Sequence, residues 1–361
     1  MSLLSGPFQG VDRQGYAFLI VKLGDLGKVP LCAYWTSRPE VRSSLLGDGW
    51  CLPLLESRVV PSERSGIDFF QPDGFVRTLV RGRKDAQFLF SGLWRGREEG
   101  EGNVLLSADF GVSGGKVDMG FRGGRLSSLK CAEGAFAFTY KGREPAKVMC
   151  DGGTALTVTR DPRNENRVEF RFSGRTSAVC ERRDDGLTIV AADGTRHVYA
   201  LGKDDNGPFL KADDVLCRWD FYTGRLTAFG DWTYQVDEPK PDWNNAAISR
   251  THADGRTESY WFNSANGKGT YRTADGDFYE WERFPAGSFY GLLRWSKKTH
   301  GGELAYSHRY TYDERRRKVY HLLCRGAAER QGGRLPAKEE TWFAPDGKVK
   351  RRRLDGVEVK P

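Results

Sequence analysis

The sequence predicts an all-β fold, a long antiparallel β-meander that forms a curved or spiralling sheet. The first observation is turn chemistry: Asp-Gly or Asn-Gly occurs at eleven places in the 361 residues, and these dipeptides favour the positive φ angles of type I′ hairpin turns. The second is the alternation of apolar and polar residues between those turns. The third is composition, because 44 glycines, 12% aromatic residues and only 3 methionines suit twisted strands better than helices.

The alternation is clearest in three predicted strands. Residues 168–172 place Val168, Phe170 and Phe172 on one face, because successive side chains of a strand point to opposite sides. Two later strands show the same pattern. In one, the predicted face is Leu304, Tyr306, His308, Tyr310 and Tyr312. In the other, Tyr279, Trp281 and Arg283 lie opposite Phe278, Glu280 and Glu282. Helical signal is nearly absent, with room for at most a turn or two in residues 37–46 and 326–330.

Three regions are predicted along the meander. A composition change near residues 142–151 and an irregular connection around Pro239 and Pro241 supply the boundaries. We therefore expect an N-terminal region of β-hairpins in residues 1–145, a central β-meander in residues 146–240 and a C-terminal β-meander in residues 241–361. The turns recur without a fixed period, which excludes strict solenoids such as ankyrin arrays.

The charge balance is basic, with 56 Lys and Arg against 48 Asp and Glu and a net charge of +8. Basic clusters in residues 315–318 and 348–353 are of a kind that can contact nucleic acid. They lie within strand-and-turn sequence, however, where charges protect edge strands from aggregation. We therefore do not expect a nucleic-acid partner, and no run approaches the roughly 18 apolar residues of a membrane span.

Cysteine usage and the N-terminus bear on the compartment. None of the seven cysteines has CxxC spacing, so no structural zinc site is predicted, and they are too sparse for a disulfide scaffold. The first residues lack the basic and apolar regions of a signal peptide. The default expectation is a cytoplasmic protein, although a secreted or cell-surface chain that begins at its mature residue would look the same.

Two local patterns carry a family resemblance. The first is the string LLGDGWCLPLLES in residues 45–57, preceded by PLCAYW in residues 30–35 and followed by QPDG in residues 71–74. In the second, aromatic residues end a strand, a turn follows, and a basic and an aliphatic residue begin the next strand. It occurs in residues 219–227, 310–319 and 342–349. These patterns resemble the opening segment and the YD units of the Rhs/YD-repeat family, well over about the first 80 residues and weakly over the rest.

The resemblance implies a spiralling sheet similar to part of the hollow shell in which this family encloses a polypeptide, often a toxin domain. It does not imply self-cleavage, because the family's Asp-Pro-x-Gly core motif is absent. The one Asp-Pro of the sequence, Asp161-Pro162, lies in mid-chain and is followed by Arg163-Asn164. The chain is also short for a closed shell, so we expect a short, degenerate member with an open or partial sheet.

The predicted function is that of a non-enzymatic scaffold or binding protein that holds a polypeptide partner or a glycan on an aromatic sheet face. Such a face needs cover, either from the curvature of the sheet or from a partner. The candidate binding residues are the aromatics of the later strands: Tyr260, Trp261, Tyr271, Tyr279, Trp281, Trp295, Tyr306, Tyr310 and Tyr312.

The alternative is a carbohydrate-binding or carbohydrate-active protein whose acid/base pair is Glu280 and Glu282. Carboxylates at i and i+2 of a strand lie about 6.5–7 Å apart, within the broad range that glycoside hydrolases use. Otherwise the sequence predicts no catalytic residue, cofactor or metal, since it has no nucleophile elbow and no phosphate-binding loop. His308 and His321 lie on strands adjacent in sequence, and they are expected to be half-buried strand residues rather than a pair of metal ligands.

Overall fold

In a computed structural model the chain is almost entirely β-structure, with 68% strand and 2% helix. The prediction of an all-β meander is confirmed. The residues that the structure describes are 10–12, 14–39, 41–62, 66–70, 76–81, 87–90, 94–100, 103–109, 116–173, 176–212, 215–237, 247–263, 266–285, 289, 291–330 and 334–360. Two segments singled out in the sequence, the QPDG turn at 71–74 and the connection at 239–245, lie outside these residues.

The strands are short and follow one another in chain order. They are β1 (Phe18–Leu26), β2 (Val29–Thr36), β3 (Arg42–Ser43), β4 (Gly47–Asp48), β5 (Trp50–Cys51), β6 (Arg58–Ser62), β7 (Gly66–Phe70), β8 (Val76–Arg81), β9 (Gln87–Phe90), β10 (Trp94–Glu98), β11 (Val104–Asp109), β12 (Lys116–Arg122), β13 (Arg125–Cys131), β14 (Gly134–Lys141), β15 (Glu144–Cys150), β16 (Gly153–Asp161), β17 (Asn164–Phe172), β18 (Ser177–Arg183), β19 (Gly186–Val190), β20 (Arg196–Asp204), β21 (Gly207–Ala212), β22 (Val215–Trp219), β23 (Leu226–Phe229), β24 (Trp232–Val236), β25 (Ile248–His252), β26 (Thr257–Asn263), β27 (Lys268–Arg272), β28 (Asp277–Arg283), β29 (Leu293–His300), β30 (Glu303–Tyr312), β31 (Lys318–Arg325), β32 (Lys338–Phe343), β33 (Val349–Leu354) and β34 (Val357–Val359).

Helical structure in the described residues is confined to α1 (Pro53–Glu56) and a 3₁₀ turn at Ala328–Arg330. Neither is long and apolar enough to cross a membrane. The chain divides into two compact units. Unit 1 is Met1–Phe90, Trp94–Asp109 and Gly115–Gly230, and unit 2 is Ser91–Leu93, Phe110–Gly114 and Asp231–Pro361. The three regions expected from the sequence stay a prediction.

In unit 1 the strands from β6 to β23 pair antiparallel with their neighbours in sequence, except that β13 has an additional partner. Its first residue, Arg125, pairs with Arg58 of β6, whereas its later residues pair with β14. The eight strands β6–β13 therefore form a closed ring. Gly124, at φ +77°, allows this closure, because a Cβ there would lie 2.7 Å from the Val59 carbonyl oxygen.

One face of the unit 1 sheet is covered by the chain's own N-terminal segment. The segment, here called the N-terminal cover (residues 10–56), contains the sheet β1–β2–β5, the pair β3–β4 and helix α1. Trp35 packs against Trp219 with ring centroids 5.1 Å apart, and Trp50 packs edge-on against Tyr199 at 5.0 Å. Trp50 is only 1% exposed, so the ring of the LGDGW turn is fully inside the protein.

Polar contacts hold the N-terminal cover together and join it to the rest of unit 1. Arg38 and Asp12 form an ion pair at 2.6 Å with side chains only 4% and 8% exposed. The Ser37 hydroxyl donates to the Gly224 carbonyl at 2.5 Å. The buried ion pair joins two parts of the N-terminal cover, because such a pair resists separation of its partners. The Ser37 hydrogen bond ties the cover to the turn that precedes β23.

Unit 2 is a simple meander. Strands β24 to β34 pair antiparallel, each with its neighbours in sequence. The register shifts at four places, between Glu282 and Arg283, Lys298 and Thr299, Thr311 and Tyr312, and Trp342 and Phe343. Such bulges increase the local twist and re-aim the side chains beyond them.

Candidate functional site

The strand register of unit 2 decides which aromatic side chains share a face. Tyr260 opposes Tyr271, and Tyr271 opposes Tyr279. Tyr279 in turn opposes Lys298, which opposes Tyr306. Directly opposed residues point to the same side of a sheet, so these residues define one surface, here called the tyrosine face. The predicted binding residues on it are Tyr260, Tyr271, Tyr279, Trp281, Tyr306, Tyr310 and Tyr312.

The tyrosine face therefore contains seven of the nine predicted binding residues, and the other two lie on the opposite side. Trp261 opposes Thr270, which opposes Glu280. Trp295 opposes Glu282 across the next strand pair. The structure thus separates these two tryptophans from the tyrosines and groups them with the carboxylates of the alternative prediction.

Aromatic rings contact one another along the tyrosine face. Tyr271 and Tyr279 are stacked with centroids 5.9 Å apart, and Tyr260 and Trp281 are 5.8 Å apart. The Trp281 ring lies over Gly269, where a Cβ would be only 2.3 Å from the indole. All of these aromatic side chains are partly exposed. The face therefore combines ordered rings with an accessible surface.

Two histidines continue the aromatic row. His308 Nδ1 and His321 Nε2 are 2.8 Å apart, and the two rings are within 11° of parallel. Tyr310 lies beside His321 with a centroid distance of 4.8 Å and an angle of 6°. Burial lowers the pKa of His321 to about 4 and also lowers the pKa of His308. The geometry is that of one neutral imidazole donating to another.

The charged side chains of the tyrosine face are joined in ion pairs. Lys298 contacts Asp277 at 2.8 Å, and Glu339 contacts both Arg325 at 3.0 Å and Arg352 at 2.9 Å. The hydrogen bond from Lys298 holds the pKa of Asp277 below its usual value. Within the described residues no group of three or more His, Cys, Asp or Glu is arranged to hold a metal ion.

Side chains from two connections bound the tyrosine face. At one strand end Phe284 and Phe289 pack around Tyr312, each with a centroid distance of 6.3 Å to its ring. The Tyr312 hydroxyl donates to the Leu293 carbonyl at 2.8 Å. At the other end the 3₁₀ turn Ala328–Arg330 contacts β30.

Glu280 and Glu282 are engaged in contacts of their own on the opposite face. Glu280 lies 3.4 Å from the Lys297 ammonium. Glu282 accepts hydrogen bonds from Trp295 Nε1 at 2.9 Å and from Arg294 at 2.8 Å. These contacts, that of Trp295 foremost, lower the pKa of Glu282. A general acid in glycoside hydrolysis needs the opposite, a raised pKa, so the environment of Glu282 disfavours that role.

Sequence reasoning missed the cations and carboxylates that lie among the tyrosines. Lys298 and Arg325 both oppose Tyr306, one on each side. The hairpin turns that set these registers were the available signal, but each bulge shifts by one residue the partner that a strand residue opposes.

In comparisons with known proteins, the chain matches no family model and no curated protein. We therefore infer its function from the geometry of the two units.

Proposed function

We propose that the protein is a binding scaffold that holds a polypeptide partner on the tyrosine face of unit 2. The observation that carries this proposal is the way unit 1 binds its own N-terminal cover. The Tyr140 hydroxyl lies 3.2 Å from the Leu55 carbonyl oxygen, and Arg160 Nη2 donates to the Ser44 carbonyl at 3.0 Å. Arg225 Nη1 likewise donates to Gln14 O at 3.0 Å. The sheet of this chain thus holds a polypeptide through aromatic contacts and main-chain carbonyls.

The tyrosine face of unit 2 likewise offers aromatic rings and hydrogen-bonding side chains to a polypeptide. Tyrosine supplies a rigid apolar ring with a polar tip, which gives a large contact area at low cost in side-chain entropy. Between the two strand ends, Lys298, Arg325 and Arg352 are matched by carboxylates, so a partner would not have to neutralise a strong charge there. Main-chain hydrogen bonding together with pockets for side chains is a general mode of peptide recognition. The resemblance to Rhs/YD-repeat shells agrees with this proposal.

A glycan is the competing occupant, because sugar rings also stack on aromatic side chains. The position of Glu280 and Glu282 limits that alternative. Both lie on the face opposite the tyrosines, so a glycan on the tyrosine face would be bound without being within their reach. We therefore favour a polypeptide and keep the glycan as an outcome of the test.

The test is selection of a displayed random peptide library on the purified full chain, followed by affinity measurement of the selected synthetic peptides. The double variant Tyr279→Ser/Tyr306→Ser is expected to weaken binding at least about tenfold, or roughly 1.4 kcal/mol. Tyr320→Ser is the matched control, because Tyr320 is a strand tyrosine of unit 2 whose register places it on the opposite face. The control should bind within about twofold of the parent.

Two outcomes would overturn the proposal. One is the absence of any enriched peptide, and the other is equal loss of affinity in the Tyr320 control. Thermal unfolding of both variants establishes that they are folded. Binding on a glycan array that disappears only in the double variant would replace the polypeptide with a glycan.

A further inference from the structure

We propose that the polypeptide partner is acidic at the end that meets two neighbouring hairpin tips of unit 2. These tips, residues 313–318 and 344–350, are here called the basic rim. The inference rests on the proposed function, because it assumes a polypeptide on the tyrosine face and assigns its charge and direction.

The two hairpin tips lie side by side at one strand end. Residues 313–317 join β30 to β31, and residues 344–348 join β32 to β33. Strands β31 and β32 are paired, so both tips project from the same end of the sheet. Arg317 Nη1 donates to the Pro345 carbonyl at 3.0 Å and ties one tip to the other.

The basic rim has an excess of positive charge. It contains six bases, Arg315, Arg316, Arg317, Lys318, Lys348 and Lys350, against three acids, Asp313, Glu314 and Asp346, a net charge of +3. Two of the acids are engaged inside the tips: Asp313 with Arg317 at 2.6 Å and Asp346 with Lys348 at 3.5 Å. The positive excess is therefore not cancelled within the rim.

Lys318 connects the basic rim to the tyrosine face. It opposes Tyr312 in the strand register. Its ammonium lies 4.5 Å from the Phe343 ring centroid and 5.9 Å from that of Tyr310. After burial, its charge is among the causes that lower the pKa of both histidines of the aromatic row. The same positive field favours a carboxylate of a partner that lies along the tyrosines.

The opposite strand end has no such excess. Its described turn residues are 253–256, 273–276, 301–302, 326–330, 334–337 and 355–356. They contain four acids, Asp254, Asp275, Glu329 and Asp355, and three bases, Arg256, Arg330 and Arg334. The part of the tyrosine face formed by β30–β33 therefore carries a basic rim at one strand end, whereas the turns at the opposite strand end are nearly balanced. A partner with acidic residues at one end matches this polarity.

A polypeptide fits this polarity better than a nucleic acid does. A nucleic acid carries a phosphate at every residue, whereas the face between the two ends contains Asp277 and Glu339, already held by their own cations. A uniformly charged nucleic acid would lie against these carboxylates and would contact no additional cations there. A peptide with a local acidic segment would meet positive charge only where the surface is positive.

The test repeats the peptide selection with a charge-reversed rim, Lys318→Glu/Lys350→Glu. Peptides selected on the parent are expected to be enriched in Asp and Glu near one end, and the reversed rim should select against those residues. An acidic peptide from the first selection should lose about tenfold in affinity on the variant. Its binding to the parent should weaken as salt shortens the Debye length from about 30 to about 8 Å.

The matched control is Arg256→Glu/Arg334→Glu, which reverses two charges at the opposite strand end and should leave the acidic enrichment unchanged. Tyrosine-dependent peptides without acidic enrichment would overturn this inference while leaving the proposed function intact. Loss of acidic enrichment in the control as well would show a general charge effect and would also overturn it. A single-stranded DNA oligomer that binds the rim more tightly than any selected peptide would assign the rim to nucleic acid instead.

Discussion

His308 and His321 lie diagonally across the neighbouring strands β30 and β31, with His308 Nδ1 and His321 Nε2 only 2.8 Å apart. One imidazole N–H donates to the other ring, so the contact exists only while at least one of the two rings is neutral. Protonation of both rings would place two donors against each other. The pair therefore makes this part of unit 2 sensitive to protons.

We expect acid to destabilise the protein through this pair. The pKa of His321 is about 4 in the folded chain, below the ordinary value of about 6.5 that applies when the chain is unfolded. The unfolded state thus binds more protons below pH ~6.5, so the pair's contribution is complete above that pH and is lost as the pH falls towards ~4. Because the rings are partly exposed, we expect only about 1 kcal/mol.

The measurement is urea unfolding at a series of pH values for the parent and for His321→Phe. Between pH ~6.5 and ~4 the free energy of unfolding should fall less in the variant than in the parent. His197→Asn, a change in unit 1, is the control and should keep the parent's slope. Parallel slopes for the parent and His321→Phe would contradict the assignment.

Trp50 is expected to be a major contributor to the stability of unit 1. Its ring is 1% exposed and packs edge-on against Tyr199. Trp50→Ala should lower the free energy of unfolding by about 3–5 kcal/mol, the usual range for truncating a buried aromatic side chain. Tyr222→Ala, at a position 89% exposed, should change it by less than about 0.5 kcal/mol. A loss below about 1 kcal/mol for Trp50→Ala would contradict the burial of this ring.

The ion pair between Asp12 and Arg38 should be costly to break from one side. Asp12→Ala leaves the Arg38 guanidinium buried without its carboxylate, and we expect a loss of about 3–5 kcal/mol. The double variant Asp12→Ala/Arg38→Met, which combines this change with the second single variant Arg38→Met, removes both charges and should recover most of that loss. Chemical denaturation of the two single variants and the double variant completes the cycle. An additive double variant would contradict the coupling.

The purified chain is expected to remain intact. Asp161 ends β16 and its carboxylate accepts a hydrogen bond from the Arg163 amide at 2.9 Å, so the Asp161-Pro162 step forms an ordinary hairpin turn. Intact-mass measurement after prolonged incubation at neutral pH should give one species of 40.6 kDa. Two fragments that disappear in Asp161→Ala would show self-cleavage and contradict this prediction.

The sequence predicted the turns and the two sides of single strands, because both depend on local chemistry. Asp151 and Gly152, for example, have φ values of 47° and 85°, as a type I′ turn requires. The alternation also separated Tyr279 from Glu280 correctly. It could not place Trp295 relative to Tyr279, since that relation depends on the register between strands and on the bulge after Glu282.

Long-range contacts were the other limit of sequence reasoning. Nothing periodic in the sequence marks Arg125 as the partner of Arg58. The turn of α1 after Leu52 was also missed, although Pro53 is well suited to the first helical position. Its sequence, PLLE, reads equally well as the start of a strand.

The two units differ in how their strands can assemble, because β13 of unit 1 has an additional pairing with β6. In unit 2 each ladder joins neighbours in sequence, so contact order is low and hairpins can form one after another. In unit 1 the ring is complete only when Arg58 meets Arg125, after the chain between them has been drawn together at an entropic cost. Ring closure is therefore the step of unit 1 that we expect to limit its folding rate, whereas unit 2 should fray from β34 inwards, one hairpin at a time.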